Sequence, residues 1–158
     1  MPEDVLQSFA ARLEHAIRNA EPPAAQAVWK RWLLEYLRVR SLGQPKPWTP
    51  GEVEHIPSWI IFAGPIFPDA VAELAKLPHL ERIQPGYVLR EMTQHAEIFE
   101  YPEATAKLIL AVTNVDSYRI TDPAQLANIV TRVKSAGVPR DLRNALDERM
   151  LRLGITSD

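Results

Sequence analysis

The feature of this sequence that most restricts its fold is a run of large apolar side chains near residue 30. They recur at intervals of three and four residues, which is the spacing of one face of an α-helix. They are Trp29, Trp32, Leu33, Tyr36 and Leu37. Each aromatic ring buries roughly 150–250 Å² when it packs, so this face requires a core around it. The pattern predicts a central aromatic helix over residues 23–43.

The remaining apolar segments also have helical periodicity. The chain contains 14 prolines but 6 glycines, a balance typical of helices that begin at Pro. We expect an all-α fold of about eight helices in one domain, residues 1–158. The predicted segments are an N-terminal helix, the aromatic helix, two helix pairs and a last helix pair, over 1–22, 23–43, 50–115 and 122–154. A buried strand at Trp59-Ile60-Ile61-Phe62 is the weaker alternative, because its flanks favour helix.

Several helix ends carry local signals. Thr49 and Glu52 have the spacing of a capping box, with Pro50 at the first helical position. Pro57 predicts a kink or break inside the same helix, since it removes one backbone hydrogen bond. Glycines placed to end helices in a left-handed conformation follow three predicted helices, at Gly43, Gly137 and Gly154.

A short internal repeat relates two of the predicted helices. The sequence Phe67-Pro68-Asp69-Ala70-Val71-Ala72-Glu73-Leu74 resembles Tyr101-Pro102-Glu103-Ala104-Thr105-Ala106-Lys107-Leu108, 34 residues later. Periods of roughly 20–50 residues are typical of stacked helical repeats. The repeat predicts antiparallel helix pairs stacked as a HEAT-like α-solenoid. Pro beside an acidic residue is also good chemistry for starting any helix, and an irregular helical bundle is the alternative.

Composition restricts the partners and the compartment. A net charge of −2 and a pI near 6.1 disfavour a general nucleic-acid binder, which usually has a pI above about 9. The absence of cysteine excludes disulfides and thiolate chemistry and fits a reducing compartment. No apolar run approaches the ~18 residues of a membrane span, and residues 1–4 do not begin a signal peptide. We expect a cytoplasmic protein that does not bind membranes.

No constellation of catalytic residues is evident. The sequence has no glycine-rich phosphate loop, Gly-x-Ser-x-Gly elbow or His-Glu-x-x-His motif. Glu91 and His95 are spaced as half of a metal site, but a solvated helix pair explains them better. The acids and lysine at Asp69, Glu73 and Lys76 suggest a nuclease, yet their spacing is that of a salt-bridge ladder on one helix. We therefore predict no enzyme activity, no cofactor and no metal.

Two surfaces are candidates for binding. Trp48, flanked by prolines, is a candidate exposed aromatic anchor, and Arg38 and Arg40 are candidate contacts beside it. The alternative is that Trp48 folds back on its own helix pair. The second candidate is a basic, phosphate-binding face formed by Arg12, Arg18, Lys30, Arg31, Arg38 and Arg40. The alternative is a solvated face whose acidic partners are Glu14, Glu21 and Glu35.

Residues 24–154 also resemble a known kind of domain. The resemblance depends on Trp29-x-x-Trp32-x-x-x-Tyr36, Arg40-x-x-Gly43-x-Pro45, Trp59, Phe67-Pro68-Asp69-Ala70-Val71 and Tyr101-Pro102-Glu103-Ala104. The chain is similar to a helical domain of unknown function at the C-terminal end of large bacterial proteins with Sir2-like or NTPase modules, many tied to phage defence. Its motifs are structural, so the resemblance implies no catalytic residue.

These observations together favour a non-catalytic α-helical scaffold or protein-interaction module, an accessory part of a bacterial phage-defence system. The resemblance implies that its partner is another protein, or the missing modules of a larger chain. The alternative function is a nucleic-acid-binding accessory domain that uses the basic face.

Overall fold

The computed structural model describes residues 8, 11, 12, 15, 23–42 and 48–156. The described residues from 23 onward contain seven α-helices, and no described residue lies in a strand. The helices are α1 Pro23–Leu42, α2 Pro50–Ile61, α3 Phe67–Leu74, α4 Pro85–Gln94, α5 Pro102–Val112, α6 Pro123–Ser135 and α7 Arg140–Arg152. Short 3-10 turns lie between them at Gly64–Ile66, Leu80–Arg82, Ala96–Glu100 and Ser117–Arg119. The all-α prediction is confirmed. Most of the predicted N-terminal helix and the predicted cap at Gly43 lie outside the described residues.

The aromatic helix, α1, buries side chains of the face that its sequence predicts. Leu33 and Leu37 are fully buried, and Trp32 stacks on Tyr36 with ring centroids 5.2 Å apart. Tyr36 in turn contacts Trp59 of α2 edge to face, at 5.9 Å. However, the main helix contacts of α1 are with α2 and α3, and the most extensive contact in the described chain joins α3 to α5. The central position of α1 therefore stays a prediction, and the structure shows that α1 packs on α2 and α3.

The start of α2 has the predicted capping box. The Oγ1 of Thr49 accepts a hydrogen bond from the Glu52 backbone N–H at 3.1 Å, and a carboxylate oxygen of Glu52 accepts one from the Thr49 N–H at 3.3 Å. The helix then continues through Pro57 to Ile61, so the predicted break and the alternative strand are both wrong. Pro57 costs the helix one backbone hydrogen bond. The helix nevertheless continues, because its side chains around Pro57, including Trp59, are buried in the core.

Alternate helices pack against one another along the chain. One series of contacts runs α1–α3–α5–α7, and a second runs α2–α4–α6. The first copy of the sequence repeat forms the whole of α3, and the second copy begins at Tyr101, directly before α5, and ends within it at Leu108. The aromatic residues that begin these copies, Phe67 and Tyr101, contact each other with ring centroids 6.1 Å apart. The repeat therefore places equivalent side chains beside each other.

Two predicted helix ends are confirmed, and a third lies earlier in the chain than predicted. Gly137 and Gly154 have φ values of +98° and +69°, as expected for glycines that end helices. The sequence pattern predicts a helix from near Pro85 to about Phe99, but the helix ends at Gln94 and a 3-10 turn follows it. No helix in the described residues is long and apolar enough to cross a bilayer.

Candidate binding groove

A groove of about 560 Å³ lies between the start of α2, the segment before α4, and α4 itself. This volume is within the range of roughly 300–1,000 Å³ that is typical of ligand pockets. The groove is lined by Trp48, Pro50, Val53, Glu54, Arg82, Gln84 and Tyr87. Most of the lining side chains are apolar or aromatic, and the charged ones are exposed to solvent.

Trp48 forms part of one wall of this groove. Its side chain is 6% exposed, and its Nε1–H donates a hydrogen bond of 2.6 Å to the carbonyl oxygen of Pro78. The expectation of an exposed aromatic anchor is therefore wrong. Trp48 folds back onto the protein, because a buried indole N–H needs an acceptor and the Pro78 carbonyl supplies one. Its ring reaches the groove as a fixed wall.

Tyr87, on α4, is the second aromatic residue of the groove. Its hydroxyl shares a hydrogen bond of 2.8 Å with the buried hydroxyl of Ser58 on α2. The guanidinium carbon of Arg90 lies 5.6 Å from the centre of the Tyr87 ring, within the distance for a cation–π contact. Tyr87 therefore links the two helices that form the groove and holds a positive charge beside it.

The segment before α4 is held in place by a residue from later in the chain. Arg119 donates hydrogen bonds to the carbonyl oxygens of Glu81 and Ile83. The intervening residue, Arg82, is exposed and lines the groove. The backbone that carries Arg82 is thus fixed on both sides.

A buried ion pair supports the start of α2 behind the groove. The Nε and Nη2 atoms of Arg40 donate to the two carboxylate oxygens of Glu52 at 2.8 and 3.2 Å. The exposed fractions of the two side chains are 17% for Arg40 and 4% for Glu52. Arg40 is therefore part of the structural support of α2, and the prediction of an exposed partner contact at Arg40 is wrong.

This ion pair changes the ionisation of its members. Burial opposes the charged form of Glu52, but hydrogen bonds from Arg40 and from the Thr49 backbone outweigh it and lower the pKa of Glu52. The hydrogen bond to Glu52 raises the pKa of Arg40. Burial, reinforced by the negative charge of Glu52, raises the pKa of Tyr36 well above its usual value of 10.0. The pair is fully charged and Tyr36 is neutral at physiological pH.

The predicted basic face is divided in the structure. Arg38 is exposed and pairs with Glu35 at 3.2 Å, on the same side of α1 as the exposed Arg31. Arg40 projects in nearly the opposite direction, because two residues along a helix turn by about 200°, and it binds Glu52. Lys30 is half-buried and extends toward Gly64. Of the two residues on the preceding segment, Arg12 is exposed and Arg18 lies outside the described residues.

The other candidate clusters are local pairs. The Nε2 atom of His95 lies 3.7 Å from a carboxylate oxygen of Glu91, and the His95 ring contacts Phe62 at 4.1 Å. Glu73 pairs with Lys76 at 3.1 Å on α3. Among the described residues no three His, Asp or Glu side chains are grouped as metal ligands would be.

A second groove, of about 700 Å³, lies where the starts of α3 and α5 meet the turn before α7. The charged side chains that line it, Glu103 and Lys107, bind each other at 2.8 Å. The Trp48 groove differs because its charged residues, Glu54 and Arg82, form no ion pair in the described chain. It therefore offers charges to a ligand as well as apolar surface.

Sequence reasoning missed most of this groove. Trp48 was a candidate, but Val53, Arg82 and Tyr87 had no local signal, since they meet through packing between separate helices. No protein-family profile, curated protein or solved structure matches this chain. The structure defines the chain as an all-α domain of packed helices.

Proposed function

We propose that this chain is a non-catalytic α-helical scaffold or interaction module that binds a partner protein through the Trp48 groove. The observation that carries this proposal is a groove with fixed aromatic walls and, at its rim, charges that form no ion pair within the described chain. Protein interfaces combine an apolar centre with a polar rim in the same way. Tyr, Trp and Arg, all present here, are the residue types enriched at binding hot spots.

The arrangement of the helices supports this role. We infer that the alternate contacts of α1–α3–α5–α7 and α2–α4–α6 are those of HEAT-like stacked repeats. Such repeats contact their neighbours and present extended binding surfaces. The Trp48 groove lies between α2 and α4, two consecutive members of one series. A ligand there would bind to the junction of two repeats.

The sequence resemblance described above supports the biological setting. We propose that the partner belongs to a bacterial phage-defence system, either as a separate protein or as neighbouring modules of a larger chain. In this proposal the partner performs the chemistry and the helical domain positions it.

The test is a capture experiment with matched variants. A tagged chain is expressed in its own host and captured under gentle conditions, and bound proteins are quantified by mass spectrometry. Val53→Asp places a charge in the groove, whereas Val28→Asp makes the same change on α1 at a side chain that is 67% exposed. We expect a stoichiometric partner with the native chain and with Val28→Asp, and its loss with Val53→Asp.

Circular dichroism and thermal melting check that the variants fold. If Val53→Asp does not fold, Gln84→Trp fills the groove from an exposed rim position and should also release the partner. Equal capture by all variants would contradict the groove as the binding site. Capture of nucleic acid alone, released by salt, would favour the alternative function.

A further inference from the structure

We propose that residues 5–17 of this chain dock on an exposed apolar face of α1, antiparallel to it and with the apolar side chains of the two segments in contact. This face is a different surface from the Trp48 groove, and the inference does not rest on the proposed function. It follows from the apolar side chains that α1 leaves exposed, from the sequence that precedes α1, and from the charges of both segments.

α1 carries a second apolar face besides the one that is buried. Five large apolar side chains are exposed in the described chain, and three of them belong to α1. They are Val28, Val39 and Leu42, and each is more than half exposed. Because a helix turns by about 100° per residue, these three positions fall within roughly 60° of one another on one side of α1. Single exposed apolar residues are common, whereas a contiguous patch marks a surface that another element covers.

The sequence that directly precedes α1 supplies a matching apolar row. Its apolar residues recur at intervals of three and four positions, as on one side of a helix. They are Val5, Leu6, Phe9, Leu13, Ala16 and Ile17. The described residues of this segment are helical and exposed, and they fall on a different side of the same helical pattern. They are Ser8, Ala11, Arg12 and His15. The exposed face of α1 is the first apolar surface along the chain that the row can cover.

The connection and the lengths of the two segments fit an antiparallel pair. Pro22 and Pro23 separate the segment from the body of α1, and helices joined by such short connections pack as antiparallel neighbours. At about 1.5 Å per residue, a helix spans roughly 23 Å between residues 5 and 20, which is close to the span from Pro23 to Val39. This arrangement brings Ala16 beside Val28 and Val5 beside Val39.

The charges of the two segments are complementary when every ionisable residue is counted. Residues 1–22 contain four acidic side chains against two arginines, with His15 neutral. α1 contains four basic side chains against Glu35, and it stays net positive when Arg40, which binds Glu52, is left out. Segments of opposite net charge attract each other.

A second copy of the chain suits this face less well. It would oppose the net positive charge of α1 with an equal one, and like charges across an interface disfavour it. A two-fold pairing that places Val28 of one copy on Leu42 of the other would also place Glu35 opposite Glu35, because Glu35 is seven residues from each. The preceding segment of the same chain has the opposite charge and is already attached.

The test is disulfide cross-linking in the full chain, which contains no native cysteine. Ala16→Cys with Val28→Cys is one pair, and Val5→Cys with Val39→Cys is the second. After mild oxidation, mass spectrometry of alkylated samples quantifies the disulfide within one chain. We expect at least about tenfold more disulfide in both pairs than in a control pair, because the bond forms only when the two Cα atoms lie within roughly 7 Å.

The matched control is His15→Cys with Val28→Cys. His15 is next to Ala16 in sequence, but it is on the exposed side of the segment. A second measurement is the rate at which Val28→Cys alone reacts with a thiol reagent. It should react at least about tenfold more slowly than Leu151→Cys, an exposed position on α7, and Leu13→Asp should remove this protection because a buried unpaired carboxylate is unfavourable.

Three outcomes would overturn the inference. The first is cross-linking of both pairs at no more than the level of the control. The second is a disulfide that joins two chains, which would assign the face to a second copy. The third is fast reaction of Val28→Cys that Leu13→Asp does not change, which would leave the face to a separate partner. None of these outcomes bears on the proposed function, because Val53→Asp tests a groove formed by other elements.

Discussion

The Arg40–Glu52 pair provides the sharpest test of how this fold is stabilised. Glu52→Gln keeps the shape of the side chain and removes its charge. Arg40 would then retain a guanidinium that is 17% exposed and has lost the Glu52 carboxylate. Removing one partner of a buried ion pair typically costs about 3–5 kcal/mol. We expect about 2–3 kcal/mol here, because Arg40 keeps some solvent contact and the glutamine oxygen still accepts one hydrogen bond.

The assay is urea unfolding at pH 7, followed by circular dichroism. With a slope of about 2 kcal/mol per molar urea, the midpoint should fall by roughly 1–1.5 M. A double-mutant cycle with Arg40→Met isolates the pair. We expect a coupling free energy of about 2 kcal/mol, because the double variant leaves no buried charge without its partner. Glu103→Gln is the matched control, since Glu103 and Lys107 are exposed and the substitution should cost less than about 0.5 kcal/mol.

The pair also predicts a dependence of stability on pH. The pKa of Glu52 is lower in the native state than the value of about 4.3 in an unfolded chain. Its contribution to stability is therefore complete above pH 4.3 and is lost as the pH falls through the lower native pKa. The difference in stability between the native chain and Glu52→Gln should shrink in that acid window. A coupling free energy below about 0.5 kcal/mol, or an unchanged difference in acid, would refute this reasoning.

Three further substitutions test the core and the turns. Phe67→Ala should lower the free energy of unfolding by about 3–5 kcal/mol in urea titration, since Phe67 is 1% exposed; a loss below 1 kcal/mol would contradict its place in the core. Thr105→Val should cost about 1–2 kcal/mol, because its hydroxyl donates to the carbonyls of Ile98 and Tyr101 at 2.6 and 2.9 Å; unchanged thermal melting would show that these bonds contribute nothing. Gly137→Ala should cost about 1–2 kcal/mol, as its φ is +98°; a calorimetric transition at the native temperature would refute the strain.

The starts of the helices could be predicted because their signals are local. The capping box of Thr49 and Glu52 joins residues three positions apart, and Asp122 likewise accepts a hydrogen bond from the backbone N–H of Gln125. Such contacts form within a single turn, so the sequence contains all of the information that they need. The same reasoning explains why Gly137 was recognised as a helix end.

The errors arose where tertiary contacts override local preference. Pro57 lies within a continuous helix whose flanking side chains are buried. The helix before Phe99 ends early, at Gln94, and a 3-10 turn follows. In that turn the Ile98 carbonyl oxygen accepts a hydrogen bond from the Thr105 hydroxyl. Periodicity alone does not reveal such a bond, because it joins two different elements.

The groove was the least predictable feature for the same reason. Trp48 could be selected from its sequence context, but its burial depends on Pro78, which lies 30 residues away. Tyr87 reaches the groove through the packing of α4 against α2, and Arg82 reaches it from the 3-10 turn before α4. Arg40 and Glu52 are on separate helices, and no local rule pairs them. The sequence shows that Arg40 and Glu52 are charged, but it does not show that they bind each other.

The alternation of helix contacts has a consequence for synthesis of the chain. Across the described residues, the main contacts of each helix are with helices one or two positions away in sequence. A chain of this kind keeps its contacts local, which favours rapid folding. Each helix emerging from the ribosome can therefore dock on one already present, without waiting for the C-terminal residues. The helices would then fold in order from the N-terminus to the C-terminus during translation. Apolar surface would be exposed only on the most recently folded helices.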